Sequence, residues 1–351
     1  MKILFITLSN IGDCILTLPV LDALCQEYPG SKISCLVPER PKNIFIDNPA
    51  IENVVIFDKH AKLIDKIKLF ISLSKEKFDL VVDMRNSFFG VFLPAKKRST
   101  PLRIIPSRVK HMKDRHLFWA GFSEYAIQGK DLQSLVIAPK DLDYVDSIFN
   151  GQRLAKSDKL IVVAPGSRSQ VKCWDKHNFS QLCSELKKAG YDVVLVGDKA
   201  DQAVCSYVQQ NSPSGIFNLC ARTTLGQLGA LLKKSKLLIT NDSAVMHLAS
   251  YLNVPVAAIF GPTDENKYGP WSQKSIVIKK DIFCRPCEKA QCRFGTLACL
   301  NSIKPHEALG QIEPILTGTD KDIFVSKSEQ YRRILIARTD RIGDVLLSTP
   351  V

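Results

Sequence analysis

The sequence predicts an α/β protein of two tandem units, each a mostly parallel sheet with helices on both faces. Three observations predict it. Short apolar runs alternate with helix-length segments, and they do so in two separate series. A polar stretch, "NGQRLAKSDK" at 150–159, divides the two series. The length of 351 residues suits about two domains at roughly 100–200 residues each.

The first series opens with residues 2–8 (KILFITL), which read as a buried strand. A helix over 13–27 follows and stops at "YPG". Strands are expected at 32–37, near 53–57 and at 79–83, with a helix around 61–75. The pattern then weakens up to about residue 150. The second series is clearer, with strands at 160–164, 192–196, 236–240 and 254–260. Its helices lie near 176–188, 199–210, 224–234 and 243–252. The expected units are therefore 1–150 and 151–318, with a cleft between them.

Residues 319–331 are polar and read as a further linker. Beyond them, residues 333–351 repeat residues 2–20 with eight identities in nineteen ungapped positions, among them Ile11, Gly12 and Asp13 against Ile342, Gly343 and Asp344. A spaced self-match of this kind marks an internal repeat. The expectation is one module followed, at 332–351, by the first strand and part of the first helix of a second.

Composition narrows the function classes. The hydrophobic content of 45% is that of a globular protein. No apolar run approaches the ~20 residues that span a bilayer. Lys2 and the apolar residues after it mimic a signal peptide, but Asn10, Gly12 and Asp13 interrupt it. The 11 cysteines are odd in number and mostly scattered, which fits a reducing cytoplasm. A net charge of +13 favours an anionic partner. Much of the basic character is local, in "PAKKRSTPLRIIPSRVKHMKDRH" at 94–116. That segment lacks interleaved aromatics, which argues against nucleic acid.

Ligands of open parallel sheets bind beyond the carboxyl ends of the strands. The segments there are "SNIGD", "PGSRSQVKCW", "GDKAD", "NDSAVMH" and "GPTDE". Asp242 and Ser243 stand where a strand turns into a helix. The amides of Ser243, Ala244 and Val245, with the helix dipole, suit a diphosphate. Lys172 offers a compact positive charge to the same phosphates, and Gly166 and Ser167 an N–H and a hydroxyl. Asp13 opens the first helix, where the dipole favours a carboxylate's charge. Facing a cleft, it is suited to taking a proton from a sugar hydroxyl. For both aspartates the competing role is a helix N-cap. No G-x-G-x-x-G follows a strand and no P-loop motif is present, which disfavours dehydrogenases and P-loop enzymes. Cys284, Cys287, Cys292 and Cys299 have a spacing that could hold zinc, or they are reduced thiols packing a loop.

These motifs converge. "IGDCILTLPVLDAL", "PGSRSQVKCW", "NDSAVMHLAS", "FGPTDE" and "CRPCEKAQCRFGTLACL" occur in that order, and the chain over about 1–318 resembles glycosyltransferase family 9, the lipopolysaccharide heptosyltransferases. The cysteine segment is most similar to the heptosyltransferase II branch. The resemblance implies a GT-B fold, with the acceptor on the N-terminal domain and the nucleotide sugar on the C-terminal one. It implies metal-independent, inverting transfer from ADP-L-glycero-D-manno-heptose to the lipopolysaccharide inner core, without a cofactor, on the cytoplasmic face of the inner membrane. Asp13 would be the general base. Lys172 and Ser167 would contact the donor phosphates, Asp242 the heptose hydroxyls, and the amides of 243–245 the diphosphate, with His247 facing the same pocket. The basic segment, with Arg98, Arg103, Arg108 and Lys110, would face the acidic acceptor and the membrane surface. The family usually has Arg before Ile-Gly-Asp. Here that position is Asn10, an acceptor-side candidate, whereas the terminal repeat has Arg341. The alternatives are a glycosyltransferase using another nucleotide sugar, or a non-catalytic module that binds nucleotide or lipid.

Overall fold

The protein is described by a computed structural model over residues 1–46, 48–99, 104–123, 126–127, 134–152 and 158–318. The linker and repeat expected at 319–351, and Arg103, lie outside the described residues.

The first sheet is built from β1 (Lys2–Ile6), β2 (Lys32–Val37), β3 (Ile51–Ile56), β4 (Phe78–Asp83) and β5 (Ala95–Arg98). All its pairings are parallel, and the spatial order is β3-β2-β1-β4-β5. The central strand β1 is buried from Ile3 to Ile6, which explains its unbroken apolar sequence. Around the sheet lie α1 (Ile11–Glu27), α2 (Leu63–Lys75), α3 (Phe88–Phe92) and α4 (Met112–Ala120). Next, α5 (Pro139–Gln152) leads to the second unit.

The second sheet comprises β6 (Leu160–Ala164), β7 (Asp192–Leu195), β8 (Ile216–Asn218), β9 (Leu237–Asn241), β10 (Val256–Ile259) and β11 (Ile276–Ile278). It is also parallel, in the order β11-β10-β9-β6-β7-β8. Its helices are α6 (Lys176–Lys188), α7 (Gln202–Gln210), α8 (Leu225–Lys233), α9 (Ala244–Tyr251), α10 (Glu265–Tyr268), α11 (Ala298–Asn301) and α12 (Pro305–Thr317). In both sheets the first strand in sequence is flanked by the second on one side and the fourth on the other, the doubly wound order. The switch points lie between β1 and β4 and between β6 and β9. A ligand crevice forms where the connections diverge in this way.

The expected strands and helices of both series are present. The sequence reading did not include β5, β8 and β11. These are edge strands of three or four residues, too short to carry a period. The expected boundary at residue 150 keeps α5 with the first unit, whereas its packing ties it to the second. It lies on α8, Tyr144 donates to the carbonyl of Arg222 at 2.8 Å, and Asp146 pairs with Lys234.

The two units are joined by a continuous apolar cluster that runs from Phe5 and Leu21 to Leu248 and Ala258. At its centre α1 packs on α9. The buried carboxylate of Asp22 on α1 accepts from the Tyr251 hydroxyl at 2.8 Å and from the Ser134 amide at 2.9 Å. A buried charge is tolerable only with such partners.

Candidate active site

The site is assembled from the loops at the two switch points. After β1 the chain reaches Asn10, the N-cap position of α1, in an extended conformation. Its side chain does not cap the helix. Instead Nδ2 donates to Oδ2 of Asp13, 2.8 Å away in the first turn. Asn10 Oδ1 in turn accepts from the guanidinium of Arg168, which comes from the loop after β6 in the other unit. A cation, an amide and the carboxylate of Asp13 thus form one chain across the cleft.

The opposite wall is the turn from β9 into α9. Asn241 is buried and sews it to the loop after β6: its Oδ1 accepts from the Trp174 amide at 3.0 Å, and its Nδ2 donates to the Pro165 carbonyl at 2.7 Å. Ser167 Oγ donates to the Asp242 carbonyl at 2.9 Å. The Asp242 carboxylate is 5% exposed and accepts from Lys172 Nζ at 2.6 Å. Lys172 ends a short 3-10 turn at 170–172, which aims it back over the sheet. Ser243 is the N-cap residue of α9, but its hydroxyl pairs with Thr240 and does not cap the helix. The first turn of α9 therefore starts without a side-chain cap, as an anion site would need.

The two helix N-termini meet. A Cβ added to Gly12 would lie 3.3 Å from His247 Cδ2 and 3.5 Å from Ala244 Cα. Gly12 thereby lets the first turn of α1, with Asp13, rest against the first turn of α9. His247 sits beneath this contact, buried and stacked on Trp271 with ring centroids 5.8 Å apart. Its Nδ1 has no hydrogen-bond partner. Burial pushes its pKa down to about 4, against the pull of Asp242, so the ring is neutral near pH 7. His111 from the first unit meets Trp271 edge-on, with ring centroids 5.4 Å apart, and engages the Gly269 carbonyl at 2.9 Å.

Gly166, Ser167, Lys172, Asp242, Ser243, Ala244, Val245, His247, Asn10 and Asp13 are thus drawn together at the two facing helix starts and the loop after β6. The basic candidates are not drawn in with them. Arg98 lies on β5 and donates to the carbonyls of Gly90 and Leu93 at 3.4 and 3.2 Å, and to that of Val91, at the end of α3. Arg108 and Lys110 are exposed on the segment leading to α4. Asp242 is not a helix N-cap, since that position is Ser243.

All four clustered cysteines are free thiols, three half-buried and Cys299 buried at the start of α11. They line one apolar pocket, yet among the described residues no three Cys, His, Asp or Glu side chains are gathered to hold a metal ion.

Sequence reasoning missed Arg168, Asp201 and Trp271. Asp201 follows β7 and presses its carboxylate against Gly166 and Gly197, where a Cβ would lie 2.0 and 2.8 Å from its oxygens. Burial raises its pKa. "GDKAD" was a visible strand-end signal for Asp201, whereas nothing local marks Arg168 or Trp271.

The cleft between the two doubly wound units thus has the carboxylate of Asp13 on one side and an uncapped helix start with Lys172 on the other. The profile of "Glycosyltransferase family 9 (heptosyltransferase)" matches residues 122–298. Lipopolysaccharide heptosyltransferase 3 of Escherichia coli is 30% identical over 296 residues, covering 76% of this chain and 85% of that protein. Lipooligosaccharide heptosyltransferase 2 of Campylobacter jejuni is 24% identical, covering 90% and 100%. The solved structure of E. coli ADP-heptose lipopolysaccharide heptosyltransferase II superposes with a TM-score of 0.74 at 22% identity, over 91% of this chain and 99% of that one. The chain belongs to glycosyltransferase family 9, the heptosyltransferases, and has the GT-B fold of such enzymes. Its similarity extends to both the II and III branches.

Proposed function

We propose that this protein transfers heptose from ADP-L-glycero-D-manno-heptose to an inner-core sugar of lipopolysaccharide, with inversion at the anomeric carbon, while peripheral on the cytoplasmic face of the inner membrane. Asp13 takes the proton from the acceptor hydroxyl as that oxygen bonds to the anomeric carbon. The bond from that carbon to the phosphate oxygen breaks on the opposite face, and ADP leaves with the electron pair. Lys172 and the amides of Ser243, Ala244 and Val245 stabilise the charge that develops on the diphosphate. Asp242 orients the heptose hydroxyls, and Ser167 Oγ and the backbone at Gly166 border the phosphates. Asn10 borders the acceptor sugar, and the exposed Arg108 and Lys110 meet the acidic groups of the acceptor.

The observation that carries this reading is the contact of Gly12 with Ala244 and His247, which puts the Asp13 turn against the uncapped start of α9. The partnerless Nδ1 of His247 supports it, because a buried polar atom without a protein partner suits one that a ligand completes. Thermal-shift titration with ADP-, UDP- and GDP-linked sugars tests the donor. The expected result is stabilisation by ADP-heptose and by ADP. Stabilisation by a UDP or GDP sugar alone would replace the donor assigned above.

A further inference from the structure

Away from the cleft, the first unit carries an apolar surface that the catalytic reading does not use. Helix α2 buries Leu73 and packs Leu69 and Phe70 on the sheet, yet turns a second apolar stripe outward. Leu63, Ile67 and Ile71, spaced four apart, are all exposed, Leu63 by 73%. Such spacing places side chains in one row. Helix α3 continues the row. Phe88 and Phe92 are 61% and 60% exposed, and Val91 beside them is exposed too. Phe70 bridges the two helices, 5.5 Å from the ring of Phe88, which lies 4.5 Å from that of Phe92.

This surface is built rather than frayed. The carboxylate of Asp83 accepts from the amides of Arg85 and Ser87 at 2.8 and 2.6 Å and from Ser87 Oγ at 2.8 Å. It also lies so close to Gly90 that a Cβ there would be 2.1 Å from Oδ2. Arg98 ties down the other end of α3. The short helix is therefore locked with its aromatic side outward. Contiguous exposed apolar surface held in this way marks an interaction site.

Charge selects the partner. Lys62, Lys68 and Lys75 on and beside α2 are exposed, as is Lys97 on β5, while its neighbour Lys96 is paired with Asp79 at 2.7 Å. A second copy of this chain would bring two cationic rims together, which like charges oppose. An anionic bilayer accepts both features: rings and aliphatic side chains enter the headgroup–acyl boundary while lysines meet lipid phosphates. The location agrees. α3 follows the carboxyl end of β4, and β4 pairs in register with β1 so that Asp83 stands beside Ile6. The apolar surface thus borders the same sheet edge as the Asp13 loop.

We infer that α2 and α3 form the membrane-docking surface of this enzyme, with anionic phospholipid as its partner. The inference rests on the reading of a lipid-borne acceptor, and it concerns a surface distinct from the catalytic cleft.

Vesicle co-sedimentation of the full chain tests it. Vesicles of phosphatidylethanolamine with phosphatidylglycerol should carry the protein down, and phosphatidylcholine vesicles should not. The double variant Ile67→Glu, Phe92→Glu changes only exposed positions and should lose at least ~tenfold in vesicle affinity. Its heptose transfer to a lipid-free core oligosaccharide should equal that of the wild type. Equal vesicle binding by variant and wild type, no binding of wild type to anionic vesicles, or a wild-type dimer that the variant dissolves would each overturn the inference. Vesicle binding that persists in a protein transferring no heptose to any acceptor would leave the surface standing and remove the reaction assigned above.

Discussion

Asp13 is held in place by a neighbour that is itself held from across the cleft. Asn10 donates to its carboxylate and accepts from Arg168 of the other unit. Arg168 thus brings a cation to Asn10 by tertiary contact. Arg168→Ala should therefore free Asn10 and loosen Asp13, lowering turnover by about tenfold, within the range for a slightly misplaced reacting group. Donor affinity should change little. Adding Asn10→Arg to that variant should recover part of the loss, while Asn10→Arg alone should set two guanidinium groups against each other. Steady-state kinetics of the three variants checks this, and wild-type turnover in Arg168→Ala would refute the relay. The placement of Asp13, Lys172 and Asp242 beyond the carboxyl ends of β1, β6 and β9 was legible in the sequence, because each follows an apolar run that reads as a strand. Arg168 was not, because its role depends on a residue 158 positions away.

The turn from β9 into α9 and the loop after β6 act as one element. Asn241, Ser167 and the Lys172–Asp242 pair stitch them together. Lys172→Ala should weaken ADP binding. It should also destabilise the fold by roughly 3 kcal/mol, the lower end for stranding a buried charge, because Lys172 is itself part-exposed. Calorimetric titration and denaturant melts separate the two effects. Unchanged ADP affinity would take Lys172 out of the donor site.

Helix α9 carries a second consequence through His247. Its pKa is lowered from 6.5 to about 4 by burial, so the unfolded chain binds the proton more readily than the folded one. Stability from this group is complete above about pH 6.5 and is lost as pH falls toward 4. Asp242, His111 and Lys172 face it, and they belong in the comparison. The stability of wild type relative to His247→Gln should fall as pH drops across that window. A difference independent of pH would mean that the ring binds its proton equally well in the folded and unfolded chain. At this scale, legibility followed length. Strands buried on both faces, such as β1 and β6, announce themselves as apolar runs. β8 and β11 are three residues each, and α5 finds its place only through Tyr144 and Asp146 on the second unit.

At the scale of the whole molecule, two doubly wound units bring two helix N-termini into contact through Gly12. One presents a carboxylate, the other a cation and an uncapped helix start, and the apolar cluster between α1 and α9 holds them in register. The α/β class and the tandem arrangement were readable from alternation alone, and the strand-end motifs carried the family. The way the units close on each other was not readable, since it depends on buried pairs such as Asp22 with Tyr251, 229 residues apart. The central claim is that this closed arrangement moves heptose with Asp13 as the base. It is tested most directly by incubating the protein with ADP-heptose and a heptose-deficient lipopolysaccharide, wild type beside Asp13→Ala, and following ADP release and acceptor mass. The expected result is an acceptor heavier by one heptose with wild type, and a rate lower by at least ~100-fold with Asp13→Ala at similar ADP-heptose affinity. Equal rates for the two proteins, or no heptose on the acceptor with wild type, would contradict it.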